Sequence, residues 1–140
     1  MKILVAVDGS PISTKAVKFA INLVRQLSES PKLTLFYADP PLLSAVAIKL
    51  GHTAVKEYHD GNIQFATKTA RTALNRAHVA FDEESVVAVP AIAIVRSAQK
   101  GKYDLIIMGS RGRSAFRGLL LGSVTSKVIA NCEIPITIVR

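Results

Sequence analysis

The sequence predicts an α/β protein built on an open five-stranded parallel sheet with helices on both faces. Three observations carry this. Short β-prone apolar runs alternate with longer segments of helical periodicity from one end of the chain to the other. The first run is continuous rather than alternating, as in a strand buried on both faces. The length, 140 residues with 49% hydrophobic and 20% charged, suffices for one domain with its own core, and residues 1–140 read as a single domain.

Ile3-Leu4-Val5-Ala6-Val7 is the first strand, ended by Asp8-Gly9. Ser10 is a suitable N-cap and Pro11 suits the first helical position, where its missing N–H costs nothing. The helix runs to about Leu27 on an apolar stripe of Ala16, Ala20, Leu23, Val24 and Leu27. Leu33 to Ala38 is the second strand, stopped by Asp39-Pro40-Pro41. Residues 42–52 have no clear pattern. A second helix spans about Thr53 to His78, with Gly61 as a candidate interruption. Val86 to Val89 is the third strand, and Ala91 to Gln99 a short helix closed by Gly101. Tyr103 to Met108 is the fourth strand. A glycine-rich loop, 109–122, leads into a helix over about 123–131, and Ile136 to Val139 forms the last strand after Pro135.

Composition narrows the function. One cysteine, Cys132, permits no intrachain disulfide and fits a reducing compartment. The longest apolar run, Val86 to Val95, has half the length of a membrane span and contains Pro90; a cytoplasmic protein is expected, with no membrane partner. The net charge of +8 is uneven: residues 1–95 hold ten Lys/Arg and eight Asp/Glu, whereas residues 96–140 hold eight and two. That asymmetry suggests an anionic partner, either a phosphorylated small molecule or nucleic acid. Few aromatics, no Trp and no groove-reading motif count against nucleic acid.

In open α/β sheets ligands bind beyond the carboxyl ends of the strands. Those ends are Asp8-Gly9, Ala38-Asp39, Val89-Pro90 and Gly109-Ser110, and only the last opens a long glycine-rich loop. Gly109 and Gly112 there allow positive φ and close backbone approach. Gly122-Ser123-Val124 places free amides at a helix start, where the dipole favours an anion, and Ser123, Thr125 and Ser126 add hydroxyls. The loop contains neither the P-loop nor the G-x-G-x-x-G pattern. Its residues alone fit a polyphosphate cradle and a capped surface loop equally well.

The spacing Gly109, two residues, Gly112, nine residues, Gly122-Ser123 resembles the nucleotide-binding signature of the universal stress protein family, ATP-binding branch. So do Ile3 to Ser10 at the start, Asp104 to Ser110 before the loop, Leu121 to Val124 after it and Pro135 to Val139 at the end. The resemblance spans the chain and is weakest over 40–85. It implies a Rossmann-like, adenine nucleotide alpha hydrolase-like sheet of order 3-2-1-4-5. It implies that Asp8 contacts the nucleoside, that Ala6 and Val7 line its pocket, and that the backbone near Ala38 meets adenine. Gly109, Gly112, Gly122, Ser123 and Val124, with Ser110 and Arg111, would hold ribose and phosphates. The implied cofactor is ATP or another adenine nucleotide, with or without magnesium. The implied role is stress response or signalling through nucleotide-dependent conformation or partner binding. A homodimer paired through Ile136, Thr137, Ile138 and Val139 is implied as well. Two features depart from the family pattern: Ala88 replaces a glycine before Val89-Pro90, one methyl closer to the adenine side, and the loop carries three arginines, Arg111, Arg113 and Arg117.

No general base is evident, so at most slow ATP hydrolysis or autophosphorylation of Ser123 or Thr125 is expected. A receiver-domain phosphoacceptor lacks its second acid. His52, His59 and His78 are not spaced as metal ligands and read as solvated or helix-surface residues. Cys132 reads as a small helix hydrophobe. Ser10, Ser13 and Thr14 read as capping and helix-surface groups rather than a flavin-phosphate loop. The alternative functions are a flavodoxin-like electron carrier and a basic nucleic-acid-binding module.

Overall fold

A computed structural model of the chain describes residues 1–113 and 120–140. The elements follow in the order β1 (Lys2–Ala6), α1 (Pro11–Gln26), β2 (Lys32–Asp39), α2 (Ser44–Leu50), α3 (His52–Arg76), β3 (Asp82–Val87), α4 (Pro90–Lys100), β4 (Leu105–Gly109), α5 (Ser123–Asn131) and β5 (Ile136–Val139). The strands form one sheet of order β3-β2-β1-β4-β5, and every neighbouring pair is parallel. The architecture is the one expected.

Side chains alternate across β1, so each face of the sheet has its own core. Ile3, Val5 and Val7 meet Ala16, Val17, Ala20 and Ile21 of α1 and Ala66, Ala70 and Leu74 of α3. Leu4 and Ala6 point the other way, with Phe36, Ile106 and Met108, against Ala91, Ile94 and Ala98 of α4 and Val128 of α5. Small residues dominate the helix contacts and large ones the sheet, so the helices lie close to the strands. Ser10 caps α1 by accepting from the Ser13 amide at 3.1 Å, with Pro11 at the start of the helix. Ser10 has the capping role expected; the hydroxyls of Ser13 and Thr14 turn back onto the Ser10 carbonyl, and Ser13 is buried and lines the cavity described below rather than lying on the helix surface.

Four local expectations need correction. Residues 44–50 form a short helix with no buried residue, which explains the missing pattern: a helix without a core face has no apolar stripe. Helix α3 runs through Gly61 without interruption. Strand β3 begins at Asp82 and ends at Val87, earlier at both ends than the apolar run. It is an edge strand, so its polar residues are served from the flanks: Glu83 pairs with Arg71 at 3.2 Å, and Glu84 accepts from the Ser97 hydroxyl at 2.9 Å. Cys132 follows α5 as its C-cap instead of lying within it, though it still packs on the α4/α5 core.

Candidate functional site

Strand order reverses between β1 and β4, because the chain builds β2 and β3 to one side and β5 to the other. Past the carboxyl ends of these two strands lies a cavity of about 570 Å³, within the usual size of a small-molecule site, roughly 300–1,000 Å³. Ala6, Val7, Asp8, Ala38, Gly109, Arg111, Gly112 and Val124 of the expected set line it. Ser110, Gly122 and Ser123 do not. Ser110 and Gly122 lie just behind the wall, where the Gly122 amide donates to the Ser110 carbonyl at 2.8 Å; Ser123 is exposed.

The β4/α5 end is made of backbone. Helix α5 starts on Gly122, which has no side chain with which to cap it, and its first intrahelical bond is from Ser126 to the Gly122 carbonyl. The amides of Ser123, Val124 and Thr125 therefore precede the intrahelical ladder. Four amides would be expected, but the Gly122 amide is tied to Ser110. The Thr125 hydroxyl is not a ligand donor either: it is buried and donates to the Gly109 carbonyl at 3.0 Å. That bond joins the end of β4 to the first turn of α5.

Of the two uses expected of Gly109 and Gly112, close approach holds and positive φ does not. Neither Gly109 nor Gly112 has positive φ; Gly9 does, at +79°, where the turn after β1 packs on Ala66 and Phe65 of α3. A methyl group on Gly109 would stand 2.9 Å from the Ile12 side chain, one on Gly112 2.7 Å from Asp8 Oδ2, and one on Gly122 3.2 Å from the Arg111 Cα. The three glycines let the loop, α1 and α5 meet at backbone distance.

Asp8 holds this arrangement together. Its Oδ1 accepts from the Ser10 amide at 2.9 Å and its Oδ2 from the Arg113 amide at 3.0 Å. Arg111 and Arg113 both line the cavity, and the Arg113 guanidinium lies 5.4 Å from the centre of the Phe65 ring. Arg117 lies outside the described residues.

The β2/α3 end is made of side chains, and most of it was not foreseen. Asp39, 2% exposed, accepts from the Tyr37 hydroxyl at 2.6 Å, from His59 Nδ1 at 2.5 Å and from Asn62 Nδ2 at 3.0 Å. His59 is thus a buried partner of Asp39, not a helix-surface group. Positions 59, 66, 70 and 74 follow one face of α3, and a histidine on such a face, with an aspartate at the end of the strand it covers, is the signal that was available. Burial opposes ionisation of Asp39. The hydrogen bonds from His59, Tyr37 and Asn62 outweigh it and hold the carboxyl below its ordinary range. Burial, then the bond to Asp39, pushes the Tyr37 hydroxyl far up, so it remains a donor. Tyr37, Asp39, Asn62 and Tyr58 all line the cavity.

The backbone of Ala38 also faces this space. Alternate residues of a parallel strand bond to opposite neighbours. The Phe36 carbonyl accepts from Val7 and the Asp39 carbonyl from Ala88, so Ala38 faces the β1 side, two residues beyond the last β1 pairing, Ala6 with Phe36. Apolar walls come from Ala6, Phe36, Pro40, Pro90, Ile94 and Met108. Ala88 is not among the lining residues, so its extra methyl does not crowd the cavity.

Fold and cavity together define a switch-point α/β protein. The crevice at its switch point has a cationic, amide-rich end and an apolar end edged by polar groups. Comparison with known proteins agrees. The universal stress protein family model matches residues 1–140. Universal stress protein MJ0531 of Methanocaldococcus jannaschii is 30% identical over 139 residues, covering 99% of this chain and 81% of that protein. The structure of universal stress protein UspA from Lactobacillus plantarum superposes with a TM-score of 0.86 at 23% identity, covering 100% of this chain and 97% of that one. A universal stress protein in complex with cAMP superposes with a TM-score of 0.73 at 26% identity, covering 100% and 97%. The chain belongs to the universal stress protein family. Neither the electron-carrier nor the nucleic-acid reading is favoured by these relatives, and no helix among the described residues is long and apolar enough to cross a membrane.

Proposed function

We propose that this protein binds ATP or a closely related adenine nucleotide in the β1/β4 crevice, with stress signalling carried by the effect of occupancy on conformation or partner affinity. The phosphates lie against the first amides of α5 and beside Arg111 and Arg113; the base lies between the apolar walls, near the Ala38 backbone and the Asn62 side chain. The observation that carries this reading is the uncapped start of α5 beside three glycines whose Cβ positions are already filled by neighbours. A phosphate completes such a helix end because it accepts several amide bonds and complements the dipole. The relative solved with cAMP supports the base end. Asp8, which bonds both the α1 start and Arg113, is placed to report a ribose to the loop. Calorimetric titration with ATP tests the reading: saturable binding by the wild type and none by Gly122→Val is the expected result, and a silent wild type would refute it.

The same family reading makes the protein a homodimer through β5. Val139 and Pro135 present their carbonyls to Ser110 and Ile106, so the backbone groups of Ile136 and Ile138 face outward from the sheet edge. Ile138→Pro removes one outward N–H and leaves the β4 ladder in place. Sedimentation should show dimers for the wild type and monomers for this variant; a wild-type monomer would end the proposal.

A further inference from the structure

We propose that Asn62 reads the base in this cavity: its side-chain carbonyl accepts a hydrogen bond from the 6-amino group of adenine, and Asp39 is the positioning residue that holds that carbonyl toward the ligand. The inference rests on the nucleotide reading above and deepens it.

Asn62 can face Asp39 in one sense only. An ionised carboxylate accepts and does not donate, so the amide nitrogen must turn to it, and it lies 3.3 Å from Oδ1 and 3.0 Å from Oδ2. The carbonyl oxygen then points away from Asp39. It accepts no hydrogen bond among the described residues, and it is not sealed off: the one buried side-chain polar atom without a partner there is Ser85 Oγ. Asn62 lines the cavity, and in this proposal that oxygen takes the ligand's side of it.

Asp39 is itself clamped by the Tyr37 hydroxyl and His59, so the amide cannot turn by dragging the carboxylate with it. Asn62 also stands at the far end from α5, on the β2 side with Ala38, where a nucleotide with its phosphates on α5 places its base. A purine bearing an amino group at C6 donates to this oxygen. A 6-oxopurine presents a second acceptor, leaving two carbonyl oxygens opposed, and a site built to accept a hydrogen bond rejects an analogue that cannot donate it.

The test is calorimetric titration of the full chain with three probes: ATP, ITP, and purine riboside triphosphate, which carries hydrogen in place of the amino group. ATP should bind at least about tenfold more tightly than either analogue. In Asn62→Leu both ratios should fall to within about threefold. Asp39→Asn, which frees the amide to turn, should lower the ratios in the same direction. Ratios that survive Asn62→Leu, or wild-type ratios near one, overturn the proposal and leave the nucleotide reading intact. Failure of all three probes to bind the wild type overturns both. Should Asn62→Leu not fold, Asn62→Ala carries the same comparison, and ratios that survive it overturn the proposal.

Discussion

The two ends of the crevice are built from different materials. At the β4/α5 end backbone amides and carbonyls are brought close by glycines at 109, 112 and 122, with the charged side chains of Asp8, Arg111 and Arg113 beside them. At the β2/α3 end the polar groups are the side chains of Tyr37, Asp39, His59 and Asn62, bonded to one another, the first three buried and Asn62 half-buried. A backbone site recognises shape and charge, which suits phosphate. A side-chain site can present one acceptor in one direction, which suits a base. The contrast implies that the first end supplies affinity and the second selectivity and rigidity.

The sharpest way to break that division is at Gly122. Its missing Cβ would stand 3.2 Å from the Arg111 Cα and 3.5 Å from the Gly112 amide nitrogen, so Gly122→Val must push the loop off the α5 start. ATP affinity should drop at least about 100-fold, close to 2.8 kcal/mol, with selectivity among purines beside the point because binding is lost. Retained tight binding would mean that phosphate is held elsewhere.

Asp39→Asn acts at the other end and should show in stability. It weakens bonds from two buried donors and one half-buried one and should cost about 2 kcal/mol at neutral pH in urea unfolding. The pH dependence has a definite sign. A carboxyl held below its ordinary value near 3.8 stabilises the fold above that value, and the contribution fades as pH falls through the lower folded value. The gap between wild type and Asp39→Asn should therefore be full near pH 7 and narrow below about pH 4. A gap constant across that range would show that Asp39 does not act as an ionised acceptor.

Arg113→Ala should do least. The side chain is exposed and lies against Phe65, so its charge is screened. A loss of about fivefold for ATP, nearly 1 kcal/mol, with adenosine affinity unchanged, would place Arg113 beside phosphate. An equal loss for adenosine would place it beside the nucleoside.

The same contrast explains what was legible in the sequence. The glycine-rich end was readable because its parts are close together in the chain and because glycine and a helix start have physical meanings of their own. Of the two uses glycine has at 109 and 112, positive φ and close approach, the fold takes only the second, and which neighbours come close, Ile12 and Asp8, is a tertiary fact. The side-chain end was largely hidden. Asp39 looked like a strand stop before two prolines, and His59 lies 20 residues away in a weakly patterned helix. Only folding α3 over β2 brings them together. Strand β3 was displaced for a related reason: Asp82, Glu83 and Glu84 are tolerable in a strand only at an edge, and edge position is set by sheet order.

Crystals of the protein grown with ATP test the central claim most directly. The account predicts phosphate oxygens within hydrogen-bond distance of the Ser123 and Val124 amides, and the base at the Ala38 and Asn62 end. A crevice left empty at saturating ATP, or a nucleotide bound with its base against α5, would contradict it.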